Sequence, residues 1–474
     1  MVDDAKIATI FSLLKKAGDF KSLEEACLEV ARELLIAVLA VYDKMLMAHR
    51  PKGYRVVGFR SRTISTRLGE ITYKRRLYVK ATKKRSRGNG KFLLDEVLGI
   101  RERSRVSAGL LKLVVALATR LPFRQAAEVL KEAGFPALSH GTVHAEVRRY
   151  GAEQVREQEA QRQKIFQEGQ GESQGGKKVA ILFIEADGVM VQSQGSEKRR
   201  QEIKVGVIHE GWESNGSGGR KLVNARVYIG IFEDGESFWE ALSAEIAKHY
   251  DLTAEPIIVI NGDGASWIQE TSKDYFPKAI VQLDRFHLYR DIRCTFGKEL
   301  AKDLIEVLRA GEVEVFLDTM ESSIHLGFNR EDRLKRKRLW LFCCKYRENL
   351  LDYRLRLPHK PEGLELYGLG AVETVVDKKV ANRMKKRGMR WSPAGAAAMA
   401  ALLMLRSNGE LFTWLEASGS KEIPNPIKAL KRNVEAIRDA AGEWLRGSVP
   451  ALRGPHSSRP WVKVIRYLLN PSVT

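Results

Sequence analysis

Cysteine is scarce: Cys27, Cys294, Cys343 and Cys344 are the only four in 474 residues, and none forms a CxxC pair with zinc-ribbon spacing. A disulfide scaffold and a structural zinc site are therefore not expected. No apolar run reaches the roughly 18 residues that a membrane-spanning helix needs. The amino-terminal MVDDAKIATIF lacks the basic start and long apolar core of a signal peptide. These absences lead us to expect a cytoplasmic protein with no membrane partner. No internal repeat or long low-complexity tract is evident. Acids are also in short supply, 59 Asp and Glu against 80 Lys and Arg, and the formal charge of +21 points to a polyanionic partner, nucleic acid first. A merely soluble basic protein is the bland alternative, because charge reports on association rather than fold. With 44% hydrophobic residues the chain can bury substantial cores, and its length suits two to four domains.

Helix-period apolar positions between residues 5 and 48 (Leu13, Leu14, Leu23, Leu28, Leu34, Leu35, Val38, Leu39) predict two packing helices. From Pro51 to Gly90 the pattern becomes alternating, with a turn at Leu68 to Glu70, and reads as a hairpin or small sheet. Thirteen basic residues lie there, among them Lys74, Arg75, Arg76, Lys83, Lys84, Arg85 and Arg87, against the single acid Glu70, a net +12. A charge run is commonly only a solvated face, but on a twisted ribbon interleaved with Tyr54, Tyr73 and Tyr78 it suits the tracking of phosphates. Residues 105–150 read as helical. Their second half, LPFRQAAEVLKEAGF, a Pro136 turn, then Ser139 capping SHGTVHAEVRRYG, has a helix-turn-helix layout presenting His144, Arg148 and Arg149. Two helices joined by a Gly-containing turn also occur in any helical domain.

The Gly/Gln/Ser-rich residues 167–178 read as a linker and a domain boundary. Beyond them come strands VAILFIEAD (179–187), EIKVGVIHE (202–210) and NARVYIGIF (224–232), the helix SFWEALSAEIAKHY, then EPIIVIN (255–261) and AIVQLD (279–284). Three hairpin-joined strands, a helix and two further strands with helical connections give an α/β arrangement with the strand order of a ribonuclease H-like sheet. Residues 288–366 read as a basic helical insertion, and Ser392-Pro393 opens the small-residue helix AGAAAMAALLML.

Asp187 stands where an apolar strand runs out into Gly188, and Asp263 where IIVIN ends in Gly-Asp-Gly. Adjacent strands would bring both to one sheet edge, as a two-cation centre with ions about 3.5 to 4 Å apart demands. Asp-Gly pairs are also turn formers, which accounts for either alone but less well for both. Asp284 and His287 in QLDRFHLYRD share a face if a helix starts there; Asp284 could equally be an N-cap and His287 a surface residue.

The run from GDGASWIQE to FPKAIVQLDRFHLYRDI resembles the second-aspartate and Cys/Asp-x-x-His blocks of Mutator-related transposases. From GFRSRTISTRLGEITYKRRLYV through LLDEVLGI to GMRWSPAGAAAMAALL, about residues 50 to 410, the chain resembles the ISLre-two family of bacterial insertion-sequence transposases. That resemblance implies a ribonuclease H-like domain with an Asp-Asp-Glu triad, a helical insertion before the Glu, and a mechanism using two Mg²⁺ or Mn²⁺ ions. Residue by residue it places the first Asp at Asp187, the second at Asp263, the Asp-x-x-His pair at Asp284 and His287, and the Glu at Glu373 in GAVETVVDKK. Asp187 and Asp263 would hold both ions and Glu373 the second, with Asp284 and His287 orienting the site or touching a scissile-strand phosphate. The segment around Glu373 is more lysine-rich than is usual in the family, and Glu362, Glu365 and Asp377 are close, so a structural Glu there stays open. On a helix, Val372, Val375, Val376 and Val380 would share an apolar face, with Lys378, Lys379, Arg383 and Lys386 outward.

The expected organisation is N-terminal helices (1–50), a basic β-hairpin for DNA contact (51–90), a helix-turn-helix-like DNA-binding region (91–166) and the linker (167–178). The first part of the catalytic core (179–290) comes next, then the insertion (291–370), the returning core helices (371–420) and a C-terminal helix with a basic tail (421–474). The expectation is a nucleoid-associated DDE transposase that acts on double-stranded DNA, element ends and target alike, as a homodimer or larger assembly. Two rivals remain. One is a non-catalytic DNA-binding regulator or domesticated relative. The other is a tyrosine recombinase, whose His-x-x-Arg would be His287 to Arg290, although the strand-rich segment before His287 fits that fold poorly.

Overall fold

The computed structural model describes residue 15 and residues 18–48, 50–80, 90–169, 176–195, 199–216, 218–361, 363–386 and 388–420. These fall into two compact units. One contains the described residues up to 117, with 123–143 and those from 412; the other contains 118–122 and 144–411. The expected C-terminal helix and tail (421–474), most of the linker, Glu362, and Lys83, Lys84, Arg85 and Arg87 lie outside the described residues.

The first unit opens with α1 (Phe20–Ala48). Of the two helices expected over residues 5–48, the described residues contain one of 29 residues; residues 5–14, where the other was expected, lie outside the described residues. Gly18 and Asp19 stop it at the front, with Asp19 Oδ1 accepting from Ser22 N at 2.8 Å, and no Gly or Pro interrupts it afterwards. Strands β1 (Tyr54–Thr66) and β2 (Gly69–Lys80) form the antiparallel ribbon. Its turn lies at Arg67 and Leu68, one residue earlier than expected. Thr66 Oγ1 accepts from Leu68 N and donates to Gly69 O, and Gly69 takes a φ of 120° that favours glycine. One face of the ribbon (Ile64, Ile71, Tyr73, Tyr78) packs on Leu39 and Leu46 of α1 and on Leu93 and Leu94 of α2 (Leu93–Val97). Helices α3 (Ala108–Ala118), α4 (Phe123–Glu132) and α5 (His140–Phe166) come after it.

The second unit is a mixed α/β fold around a mixed sheet. Strands β3 (Ile181–Ser193), β4 (Arg200–His209) and β7 (Arg226–Gly230) are antiparallel. Strands β8 (Ile257–Gly262) and β9 (Ile280–Leu283) run parallel to β3, in the order β7-β4-β3-β8-β9. A small hairpin, β5 (Trp212–Ser214) and β6 (Arg220–Leu222), fills the loop between β4 and β7. Helix α6 (Gly235–His249) leads into β8, while α7 (Ser266–Gln269) and α8 (Ser272–Tyr275) lead into β9. β3 does not stop at Asp187 as expected. Gly188 to Gln192 go on pairing with Lys204 to Arg200 of β4, so the strand outruns its parallel neighbour.

Helices α9 (Arg285–Phe296), α10 (Lys298–Ala310), α11 (Val313–Ser323) and α12 (Arg330–Lys345) share a core built on Leu304, Leu308, Phe316 and Met320. The expected helical pattern to Leu366 fails after Lys345. Among the described residues only short 3₁₀ turns occur before residue 371, in a stretch carrying Pro358, Pro361, Gly368 and Gly370. Then come α13 (Ala371–Val375), a π-turn (Val376–Ala381), α14 (Asn382–Met384), β10 (Arg390–Trp391), α15 (Pro393–Ser407) and α16 (Leu411–Ser420). The π-turn inserts a residue and rotates the side chains beyond it about the helix axis. Arg383, expected to face outward, is buried and donates to Ala118 O at 2.7 Å, whereas Lys378, Lys379 and Lys386 are exposed. Ser392 caps α15 as expected, accepting from Gly395 N.

The two units part within α5, and residues 170–175 of the expected linker lie outside the described residues. Beyond residue 150 that helix continues unbroken, and at Gly151 a Cβ would collide with the Ala398 backbone of α15, so glycine allows the close approach there. Among the described residues no helix is long and apolar enough to cross a membrane.

Candidate active site

Strand register brings the acids together. β3 pairs with β8 from Ile181↔Ile257 to Ala186↔Gly262, and β8 with β9 from Val259↔Ile280 to Gly262↔Leu283. The next residue along each line is an aspartate: Asp187, Asp263 and Asp284 form a row at the C-terminal edge of the parallel strands. Asp284 N donates to Gly262 O at 2.7 Å. The loop carrying Asp263 is pinned: its Oδ1 accepts from Ala265 N at 3.0 Å, and Gln269 Nε2 donates to Gly262 O and Asp263 O. Gly262 must be small, since a Cβ there would lie 2.7 Å from Ala186 O.

Asp284 is buried and caps α9, accepting from His287 N and facing His287 Nδ1, each at 2.9 Å. Asn261 Nδ2 donates to its other oxygen at 3.0 Å. The expected cap is present, and the same carboxylate is the imidazole's partner. His287 Nε2 lies 2.9 Å from Glu373 Oε1, so the imidazole spans the row and the returning helix. Glu365, by contrast, is exposed and accepts from Tyr367.

Electrostatics mark the same place. Burial pushes the Asp187 carboxyl up to about 6; the Gly188 N–H opposes this, while the negative charges of Asp263 and Glu373 add to it and His287 subtracts. The Asp284 hydrogen bond, with the charges of Asp284, Glu373 and Asp187, raises the pKa of His287 against the effect of burial. For Asp284 burial acts upward, but its bonds to His287 and Asn261 outweigh it and hold the carboxyl below its usual value. The imidazole thus lies between two carboxyl groups and beside two more acids, surroundings that favour its protonated form. Among the described residues no three His, Cys, Asp or Glu side chains are already gathered as a metal cage. Asp187, Asp263 and Glu373 nevertheless supply only hard carboxylate oxygens, the donor type Mg²⁺ and Mn²⁺ take.

Sequence reasoning missed a buried acid that bonds the start of the helix carrying Glu373. Glu185, two residues before Asp187, sits within a run that reads simply as an apolar strand; it is fully buried, with its Oε1 3.2 Å from His209 Nε2. Its Oε2 accepts from Gly370 N at 2.7 Å, at the start of the helix bearing Glu373. The available signal was a second acid, Glu185, inside the apolar run ILFIEA ahead of Asp187, a residue type almost never fully buried unless paired.

The candidate DNA-contact residues are distributed differently. Lys74 is exposed, whereas Arg75 pairs with Asp95 and Arg76 with Asp43 inside their own unit. Arg148 is exposed; Arg149 pairs with Glu146 at 2.6 Å, and His144 is half-buried. Ser139 Oγ accepts from Thr142 N at 3.0 Å, the expected cap of α5, although that helix runs on to Phe166.

The profile of the Uncharacterised protein family (UPF0236) matches residues 18–421. A UPF0236 protein in the vanSb 3′ region of Streptococcus gallolyticus is 29% identical over 421 residues, covering 85% of this chain and 86% of its own length. A UPF0236 protein of Caldanaerobacter subterraneus subsp. tengcongensis, whose name joins eleven locus designations, is 25% identical over 423 residues, 88% of this chain and 83% of its own. Another from that organism, with four designations, matches to the same extent.

Proposed function

This chain belongs to the UPF0236 family, and we propose that it is a DDE transposase of the ISLre-two type, which cuts mobile-element ends and joins them to target DNA. The observation that carries this reading is the placing of Asp187 and Asp263 side by side at one sheet edge, with Glu373 brought back to them after four helices. The sheet order, three antiparallel strands continued by two parallel ones, supports a ribonuclease H-like core. A relative's name that joins eleven loci adds support, because many positions in one genome are what a gene that moves leaves behind.

Asp187, Asp263 and Glu373 are the residues that would hold the metal. A cation fits, because it would neutralise the burial and like-charge repulsion that keep Asp187 near 6. When bound, two Mg²⁺ or Mn²⁺ ions would supply activation of the attacking water or DNA 3′-hydroxyl and stabilisation of the leaving oxygen. The chain's own residues do the rest. β3 and the pinned 263–269 loop fix two carboxylates, Asp284 orients the imidazole through Nδ1, and His287 holds Glu373 and offers positive charge toward a phosphate.

The test is cleavage of duplex DNA carrying the sequences that flank the reading frame. Native protein should cut at the element ends with Mg²⁺ or Mn²⁺ and not with EDTA, and Asp187→Asn should bind without cutting. DNA binding with no cleavage under any metal would favour the regulator, and a covalent protein–DNA adduct the tyrosine recombinase.

A further inference from the structure

The turn between α11 and α12 carries two large apolar side chains into water: Leu326 is 70% exposed and Phe328 94%. Single exposed hydrophobics are ordinary on protein surfaces. This pair differs in being held on a rigid support. Gly327 N donates to Ile324 O, and Arg333 Nε to Gly327 O at 3.1 Å. Phe328 N donates to Asp332 Oδ2 at 3.1 Å, and Asn329 caps α12 by accepting from Asp332 N at 2.8 Å. From the other side, buried Arg336 donates to Ser323 O at 2.9 Å and pairs with Asp332. The tip is tied down from both flanks, so the two side chains are presented rather than left loose.

Their surroundings identify the occupant. Residues 325–338 carry Arg330, Arg333, Lys335, Arg336, Lys337 and Arg338 against Glu331 and Asp332, a net +4, and all of these cations but Arg336 are exposed. The cores of protein–protein interfaces are depleted of charge, and a second copy would set +4 against +4. A polyanion whose interior offers flat apolar faces satisfies both the cations and the apolar tip, and nucleic acid has that chemistry. Reach agrees. α12 begins two residues after Phe328 and leads to Phe342, whose ring occupies the space a Cβ on Gly264, next to Asp263, would need. The thirteen helical residues from Arg330 to Phe342 span about 20 Å, or roughly six base steps of duplex at about 3.4 Å each.

We infer that Leu326 and Phe328 form a wedge that stacks on bases unpaired or unstacked in DNA held at the candidate site. Apolar side chains inserted at a base step from a cationic support are a general way to hold distorted DNA. This rests on the DNA-processing reading above and adds to it the form of DNA that the insertion selects.

The experiment compares binding by the full chain, without divalent metal, to two short duplexes that differ by one unpaired thymine. Base stacking on an aromatic is worth about 1 to 3 kcal/mol, so native protein should prefer the unpaired form by about tenfold. Leu326→Ser with Phe328→Ser should abolish the preference and leave affinity for the paired duplex within about twofold, and Phe328→Trp should keep it. No preference in the native protein, or one that survives the double serine variant, overturns the wedge. So does a fall in oligomeric size of that variant in the absence of DNA, which would mark the tip as a contact between copies. Metal-dependent cleavage is measured beside it: cleavage without the preference removes the wedge alone, and the preference without cleavage removes the transposase reading alone.

Discussion

Glu373 Oε1 and His287 Nε2 lie 2.9 Å apart, and the opposite nitrogen of that imidazole is 2.9 Å from Asp284 Oδ1. Two acids from different parts of the chain thus share one histidine. Because its pKa is raised in the fold, the stabilisation these contacts give is fully present below the unfolded value of about 6.5 and is lost as pH rises through the folded value. His287→Asn should lower the melting temperature by a few degrees near pH 6, and the gap from native should close at higher pH. Thermal unfolding across a pH series measures it; a gap that widens with pH contradicts the imidazolium.

Asp187 behaves with the opposite sign from an ion-paired carboxylate. With a folded value near 6 against an ordinary 3.8, the native state holds its proton more tightly than the unfolded chain does. Stability therefore falls as pH rises from about 4 to about 6 and stays lower above that. Asp187→Asn should gain about 2 to 3 kcal/mol at neutral pH and almost nothing at pH 4. Millimolar Mg²⁺ should raise the melting temperature of native protein and not of this variant. A native melting temperature indifferent to Mg²⁺ would count against a metal at this edge.

Glu373→Gln keeps the size of the side chain and removes its charge. On the proposed reading DNA binding is retained, while Mg²⁺- or Mn²⁺-dependent cleavage falls by at least about 10³-fold, roughly 4 kcal/mol of barrier. Glu365→Gln, on an exposed side chain that accepts from Tyr367, should cut normally. Normal cleavage by the Glu373 variant would place the third acid elsewhere.

The paired aspartates were legible because apolar runs ending in Asp-Gly mark where strands deliver side chains to a sheet edge. The extension of β3 past Asp187 was not, since only pairing with β4 reveals that Gly188 to Gln192 remain in the strand. Periodicity identified the Val372, Val375 and Val380 face correctly but turned Arg383 outward, because a π-turn leaves no mark in a 3.6-residue pattern. Composition found the basic ribbon but not which cations are spoken for. Asp43 and Asp95, the partners of Arg76 and of Arg62 and Arg75, come from outside it in sequence.

That last point sharpens the DNA experiment. Lys74→Ala should flatten the salt dependence of duplex binding by about one unit, the loss of one phosphate contact. Arg75→Ala and Arg76→Ala would leave Asp95 and Asp43 short of buried partners, so they should lower thermal stability and change the salt slope little. If the arginine variants flatten the slope and melt like native protein, their ion pairs give way to DNA in the complex.

Glu185 offers the most specific test of how the site is assembled. Its carboxylate is fully buried between His209 and the Gly370 N–H, at the entrance to the helix that carries Glu373 three residues on. Gly370 itself adopts a φ of 142°, a conformation side-chain-bearing residues rarely take, so the chain enters α13 at a fixed angle. Glu185→Ala would strand a buried N–H and an imidazole without their acceptor, at a cost of at least about 2 kcal/mol. It would also free the start of α13. Glu185→Gln keeps an oxygen for Gly370 N and an amide N–H that can donate to His209 Nε2, so the fold should stay near native. The two variants separate position from stability when melting temperature is read with and without Mg²⁺. The glutamine variant should keep the Mg²⁺-dependent rise, while the alanine variant should lose it even at temperatures where it remains folded, because Glu373 no longer returns to Asp187 and Asp263. An alanine variant that melts early yet keeps the full Mg²⁺ response would show that Glu185 supports the core without setting the position of Glu373.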